Sequence, residues 1–407
     1  MNFSQSDELA MLVEVVRDLL RKREDKREGY LRAIYEEQAF PEELWEDMGK
    51  VGILGALVPE EYGGTGLGLL GMATALEEFA SEGLGNAFCV LTTMANMAIL
   101  RGGSEDQKRF WLPRIAEGRM KCAFAITEPD AGTNSFVMRS FAARDGETYR
   151  LSGSKGWITG ADVADQILVV ARTVPLKEIG DRGLPLTHGI GLFLIDADAP
   201  GLERQAMDTA GIEGFRQFML YFDNVEVPLD RCIGDEHTGV SVLFQALNPE
   251  RILAAATAVG LSEFALRKAI VHASERRVFG DTPIGAYQAV QHPLARVRVA
   301  QESTRLLTQK AAWLFDEQAS PDEVGHYANM AKLSGSELAV EAVDAAGMPR
   351  YGRLQEAALA RGVMVMVAVA VTVRVKSPSL SAGGVTVRPA SCAGVSTSRH
   401  RPFVPLL

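Results

Sequence analysis

The spacing of apolar residues switches twice along this chain, and no single residue constrains the fold as tightly. From Asp7 to about Gly118 apolar positions recur at three and four, with Leu9, Leu12, Val13, Val16, Leu19 and Leu20 forming one helical stripe. Pro41 opens a helix through Trp45 and Met48, since a first turn tolerates its missing N–H. Further helices are expected over 69–80, 86–100 and 105–116. Between Lys121 and about Asp235 the texture becomes short β-rich runs broken by Gly, Asp and Pro, among them CAFAIT, QILVVART and GIGLFLID. The 3.6 period then returns over 239–274, 289–317 and 320–345. The sequence therefore predicts an α+β chain: an N-terminal all-α domain (1–120), a middle antiparallel β domain (121–235), a C-terminal four-helix bundle (236–361) and an atypical tail (362–407). Val174 to His188 is expected to be a surface excursion.

The tail stands apart because Val363, Val365, Val367, Val369, Val371, Val373 and Val375 alternate without a miss, and residues 362–407 hold no Asp or Glu. Strict period two predicts a strand or an aggregation-prone edge there.

Charge and cysteine usage exclude several function classes. The 42 Lys and Arg against 52 Asp and Glu leave a net charge of −10, which disfavours a nucleic-acid surface. The four cysteines are far apart and form no CxxC, so neither a disulfide framework nor a metal site is expected. The six histidines show no HExxH or similar ligand spacing. The first twenty residues are acidic and amphipathic, unlike a secretory signal, and no transit peptide is recognised. No apolar run reaches membrane-spanning length. A cytoplasmic protein is expected, or one of the mitochondrial matrix in a eukaryote.

Two loops carry the chemistry. Residues 66–71 formally satisfy GxGxxG, but a charged PEEY loop precedes them where a dinucleotide fold needs a strand, so a loop leading into a packed helix is the better reading. More informative are Ala125-Ile126-Thr127-Glu128-Pro129-Asp130-Ala131-Gly132-Thr133-Asn134 and Lys155-Gly156-Trp157-Ile158-Thr159-Gly160. Each joins a β run to a turn of small residues whose backbone N–H groups and hydroxyls can hold a polar or anionic cofactor. Taken singly, either would pass for an ordinary hairpin turn.

With Pro59 to Gly66 (PEEYGGTG), Glu275 to Gly280 (ERRVFG) and Thr209 to Val227, these segments resemble, in order, the motifs of the acyl-CoA dehydrogenases. The resemblance covers roughly residues 5 to 345. It implies the domain order read above and FAD-dependent oxidation of an acyl-CoA thioester to the 2,3-enoyl-CoA, within fatty acid metabolism. It implies that Phe124, Ala125, Ile126 and Thr127 line the flavin, that Trp157 and Ile158 pack beside its ring, and that the Thr159 hydroxyl bonds flavin N5. Thr133 stands where the family commonly has a serine near flavin and substrate. Arg276, Phe279 and Gln288 match positions that touch a neighbouring subunit's FAD, which implies a homodimer or homotetramer. An electron-transferring flavoprotein is the implied electron acceptor.

The reaction needs a base for the proton next to the thioester. Many family members supply it from a YEGT-like segment near the C-terminus, which this chain lacks. A minority use a glutamate at the start of a bundle helix just before an arginine, and Asn248-Pro249-Glu250-Arg251 matches that arrangement. Glu250 is thus the implied base and Arg251 an implied substrate contact. A helix-start carboxylate serving the macrodipole explains the same residue without catalysis. After Ala345 the family's glycine-rich turn is replaced by Ala346 to Gly352 and the valine run, which fits either an altered reading frame or a divergent tail. That departure leaves two other readings open, a catalytically inactive relative that binds acyl-CoA or a partner, and an acyl-CoA oxidase.

Overall fold

The computed structural model describes residues 6–347, apart from 22–23, 86, 210–213 and 238. The valine alternation and the turn at 348–352 lie outside the described residues, as does any fourth bundle helix beyond 347.

Six helices come first: α1 (Asp7–Arg21), α2 (Glu24–Tyr35), α3 (Glu42–Lys50), α4 (Gly68–Ser81), α5 (Ala87–Gly102) and α6 (Glu105–Ala116). The apolar stripes of α1 to α5 meet in one core that includes Leu12, Val16, Trp45, Met48, Leu76 and Phe79, whereas α6 packs against the middle sheet through Trp111, Leu112 and Ile115. Ser104 starts α6 with a reciprocal capping box to Gln107. The GxGxxG-like run leads into α4 with no strand before it, as its flanks predicted. The N-terminus of α4 binds a carboxylate of the chain itself: Leu69 N and Leu70 N donate to Asp316 at 2.7 and 2.9 Å. Gly68 makes this possible, since its φ is +76° and a Cβ there would lie 2.8 Å from the Asp316 carboxylate.

The middle sheet comprises β1 (Cys122–Ala125), β2 (Phe141–Asp145), β3 (Thr148–Thr159), β4 (Gln166–Arg172), β5 (Ile190–Asp196), β6 (Leu202–Met207) and β7 (Gln217–Pro228). β5 flanks β4 on one side; β1 and β2 lie along the other, followed by β3, β7 and β6. Most pairs are antiparallel, as predicted, but β1 runs parallel to β4 over four residues and β2 meets β4 parallel at Phe141 and Arg172. The unbroken apolar run of β4 has a simple cause. Ile167, Val169 and Ala171 face the sheet's own core, whereas Leu168 and Val170 pack with α5 and α6, so both faces are buried. The Val174–His188 excursion contains one short helix, α7 (Leu176–Asp181). Buried Arg172 ties it down by donating to the carbonyls of Leu186 and His188.

Three long helices follow, α8 (Val240–Glu275), α9 (Gln288–Asp316) and α10 (Pro321–Gly347), with a small hairpin of β8 (Arg277–Val278) and β9 (Thr282–Pro283) after α8. Residues 251–262 of α8 are all buried, because α4 and α5 cover it on one side and α9 and α10 on the other. No helix among the described residues is long and apolar enough to cross a membrane.

Candidate active site

The two loop motifs, separated by nearly thirty residues, come together at the end of β1. Gly156 N donates to Thr127 O at 2.9 Å, and Lys155 Nζ donates to Ile126 O at 3.0 Å. Lys155 is wholly buried and pairs with Glu128 at 2.9 Å. The same carboxylate accepts from Arg139 N at 2.7 Å and Ser140 N at 2.9 Å. Burial raises Glu128, but the Lys155 ammonium and these donors outweigh it and hold its carboxyl below the usual carboxylate range. Burial pushes Lys155 down to about 8, against the pull of Glu128. Glu128 and Lys155 were within the quoted motifs, but nothing in their spacing marked them as partners.

A bulge in β3 aims Trp157 outward. Lys155 pairs with Leu220 and Ile158 with Phe218, so three steps on β3 match two on β7. Trp157 occupies the extra position with φ +61° and is 57% exposed. For a bulky residue such a φ is strained, and strain of this kind gathers at binding sites. The implied packing of Ile158 beside a flavin ring is not made by an exposed surface, since the residue is 1% exposed and its side chain lies in the β-domain core. Ala125 is buried in the same core. The Thr159 hydroxyl accepts from Gln217 Nε2 at 2.8 Å, so a bond to a cofactor has to coexist or exchange with that one.

Phe124 points the other way from Ala125, into a cluster with Met94 and Met97 of α5 and Ala246 and Leu247 of α8. Ile126 and Thr127 are half-buried and Thr133 is exposed. On α5, which packs on β1, Asn96 carries a buried Oδ1 that accepts no hydrogen bond from the described residues. An exposed indole, a line of backbone groups at 124–127 and an unsatisfied buried acceptor suit a large, flat, polar-edged ligand.

Leu247 leads to Glu250 one turn later. The helix-start reading of Glu250 is corrected by the structure: α8 begins at Val240, so Glu250 sits about three turns inside it and Pro249 is interior. A helix-end dipole therefore has no claim on this carboxylate, whose effect would fade within the first turn. Its partner is Lys332 of α10, with Nζ 2.8 Å from Oε1 and the two side chains only 12% and 9% exposed. No local pattern in the sequence links positions 250 and 332. Buried Arg251 donates to Asn248 Oδ1 at 2.9 Å, and burial lowers its guanidinium while Glu250 raises it.

Arg276, Phe279 and Gln288 are not brought to this place. Arg276 ends α8, about 39 Å along the helix axis from Glu250 at 1.5 Å per residue. Arg276 and Gln288 are exposed, and Phe279 is 91% exposed. A cleft of about 520 Å³ lined by Arg17, Glu77, Arg267 and Arg305 also lies elsewhere and contains none of these residues. Among the described residues no three His, Cys, Asp or Glu side chains gather as metal ligands.

Family models for the N-terminal, middle and C-terminal domains of acyl-CoA dehydrogenases match residues 6–119, 123–225 and 237–348. The chain is 41% identical to an acyl-CoA dehydrogenase of Mycobacterium tuberculosis over 75% of its own length and 76% of the relative's. The structure of butyryl-CoA dehydrogenase from Megasphaera elsdenii superposes with a TM-score of 0.82 and 28% identity, covering 91% of this chain and 96% of that one. A glutaryl-CoA dehydrogenase from Mycobacterium smegmatis in complex with FADH2 gives 0.78 and 26%, covering 90% and 91%.

Proposed function

Because the chain belongs to the acyl-CoA dehydrogenase family, we propose that it oxidises an acyl-CoA thioester to the 2,3-enoyl-CoA with Glu250 as the base. The observation that carries this reading is the carboxylate of Glu250, largely buried inside α8 and one turn from Leu247, which shares a cluster with Phe124. A shielded carboxylate there can take the α-proton of a thioester, and the neighbouring C–H bond then loses its hydride.

The residues present fit FAD. Phe124, Ala125, Ile126 and Thr127 would line its ring edge, with Ile126 and Thr127 the more accessible of them, and Trp157 would lie against its face with Ile158 behind it in the core. Thr159, steered by Gln217, would reach N5. When bound, FAD supplies the hydride acceptor at N5. Thr133 and Arg251 are proposed to contact the substrate. Arg276, Phe279 and Gln288 are too far from Glu250 to serve the same flavin, so they are proposed to grip the FAD of a neighbouring subunit in a homodimer or homotetramer. The arginine fork suits a diphosphate. An electron-transferring flavoprotein is the proposed acceptor of the electrons.

The test is anaerobic titration of the yellow holoprotein with a panel of acyl-CoA thioesters. One of them should bleach the flavin, and Glu250→Gln should keep the colour but lose the bleaching by at least about a thousandfold, as removal of a group central to a reaction does. Bleaching at the wild-type rate in that variant removes Glu250 from the mechanism.

A further inference from the structure

The lysine beside Glu250 reaches it from a helix that lies unusually close. One turn beyond Lys332, a Cβ on Gly335 would stand 3.1 Å from Ala255 Cα and 3.3 Å from Ala258 Cβ, so α10 rests on α8 because position 335 has no side chain. Buried Ala328, Ala331 and Ala339 keep the same helix thin. This places the Lys332 ammonium 2.8 Å from Glu250 in a nearly closed space. Arg251 is the other charged group facing Glu250, and its Nη1 donates to Asn248. Among the described residues, α4, α5 and α9, which also pack on α8, bring no cation within 4.0 Å of the carboxylate, and Lys332 has no second carboxylate within that distance. Among the described residues, Glu250 and Lys332 are thus each other's only ion-pair partner within 4.0 Å, with Arg251 beside them.

We propose that Lys332 is a positioning residue for the reaction: its ammonium holds the Glu250 carboxylate in place and aimed before substrate arrives, and stays beside it while that carboxylate takes the α-proton. This rests on Glu250 being the base. In the step a substrate C–H bond breaks and an O–H bond forms on Glu250, while Lys332 keeps its three protons and the hydride from the adjacent carbon passes to the flavin.

The test follows flavin reduction over a range of acyl-CoA concentrations in Lys332→Met, Lys332→Gln and Lys332→Arg. Removing the cation should lower the limiting rate by roughly tenfold or more while the half-saturating concentration changes little, because the carboxylate is no longer aimed. Lys332→Arg should restore most of the rate. A second readout needs no turnover. Glu250→Gln and Lys332→Met should each lower the melting temperature, and the double variant should recover most of the loss, because single removals strand a buried charge. If Lys332→Met does not fold, Lys332→Gln reads the same rate. A wild-type limiting rate in the neutral variants, or additive losses in the double variant, overturns the proposal. Wild-type bleaching in Glu250→Gln would instead defeat the underlying assignment of the base.

Discussion

Lys155 has no exposed surface, and its charge is retained only because Glu128 and the Ile126 carbonyl meet it. That pair staples the loop after β1 to β3, so a residue with no role in the chemistry decides where Thr127 and Trp157 stand. Breaking one side of a buried pair costs about 3–5 kcal/mol, well above the roughly 0–1 kcal/mol of an exposed pair. Glu128→Gln should therefore lower stability by about that amount in denaturant titration, whereas loss of the exposed Lys177–Asp181 pair should register little. The pH dependence has a definite sign. The folded-state carboxyl of Glu128 lies below its ordinary value of 4.5, so its contribution is complete above that value and is lost as pH falls through the folded value. The wild-type melting temperature should fall on acidification below about 4.5, and Glu128→Gln should flatten that fall. A variant with the same acid slope as wild type would show that other carboxylates dominate.

Among the elements, α8 bears the most constraint. It is buried on every face through 251–262, and it carries Glu250 in the turn after Phe124's cluster. Pro249 lacks the N–H that would donate to the Gln245 carbonyl, so the helical ladder is interrupted one residue before Glu250. The contact of α10 with α8 is set at Gly335. A Gly→Ala exchange in a helix gains up to about 1 kcal/mol in propensity, but the 3.1–3.4 Å contacts with Ala255 and Ala258 oppose it. A β-branched residue adds volume that the crossing cannot take. Gly335→Val should cost about 1–3 kcal/mol in denaturant unfolding and also slow flavin reduction, since it pushes Lys332 away from Glu250. Unchanged stability would mean that α10 shifts freely along α8. The β3 bulge works on the same scale, because one extra residue turns Trp157 outward while Ile158 returns to the core.

For the whole molecule, about 39 Å of α8 separates Glu250 from Arg276, and the proposed grip of Arg276 on a neighbouring subunit's flavin rests on that separation. Arg276→Glu should weaken FAD retention at least tenfold on dilution while leaving the circular dichroism of the chain unchanged, and equal retention would remove Arg276 from the cofactor's surroundings. The helix, sheet, helix order was legible because hydrophobic period is a property of neighbouring residues, as the stripe in α1 and the run in β4 show. The loops at 126–134 and 155–160 were legible as motifs, and Glu250 through its resemblance to a family pattern. Other features were not. The Lys155–Glu128 staple, the burial of Ile158 and the parallel pairing of β1 with β4 depend on which strands become neighbours. The hydrophobic period over 239–274 already placed Glu250 inside a helix, and the competing helix-start reading arose because Pro249 is locally a first-turn residue, which α8 continues through. By itself, then, the sequence determined the kinds of element, their order and the residue types offered to the site. Only the tertiary structure decided that Lys332 meets Glu250 and that Arg276 does not, because contacts between residues 82 positions apart follow from the path of whole helices.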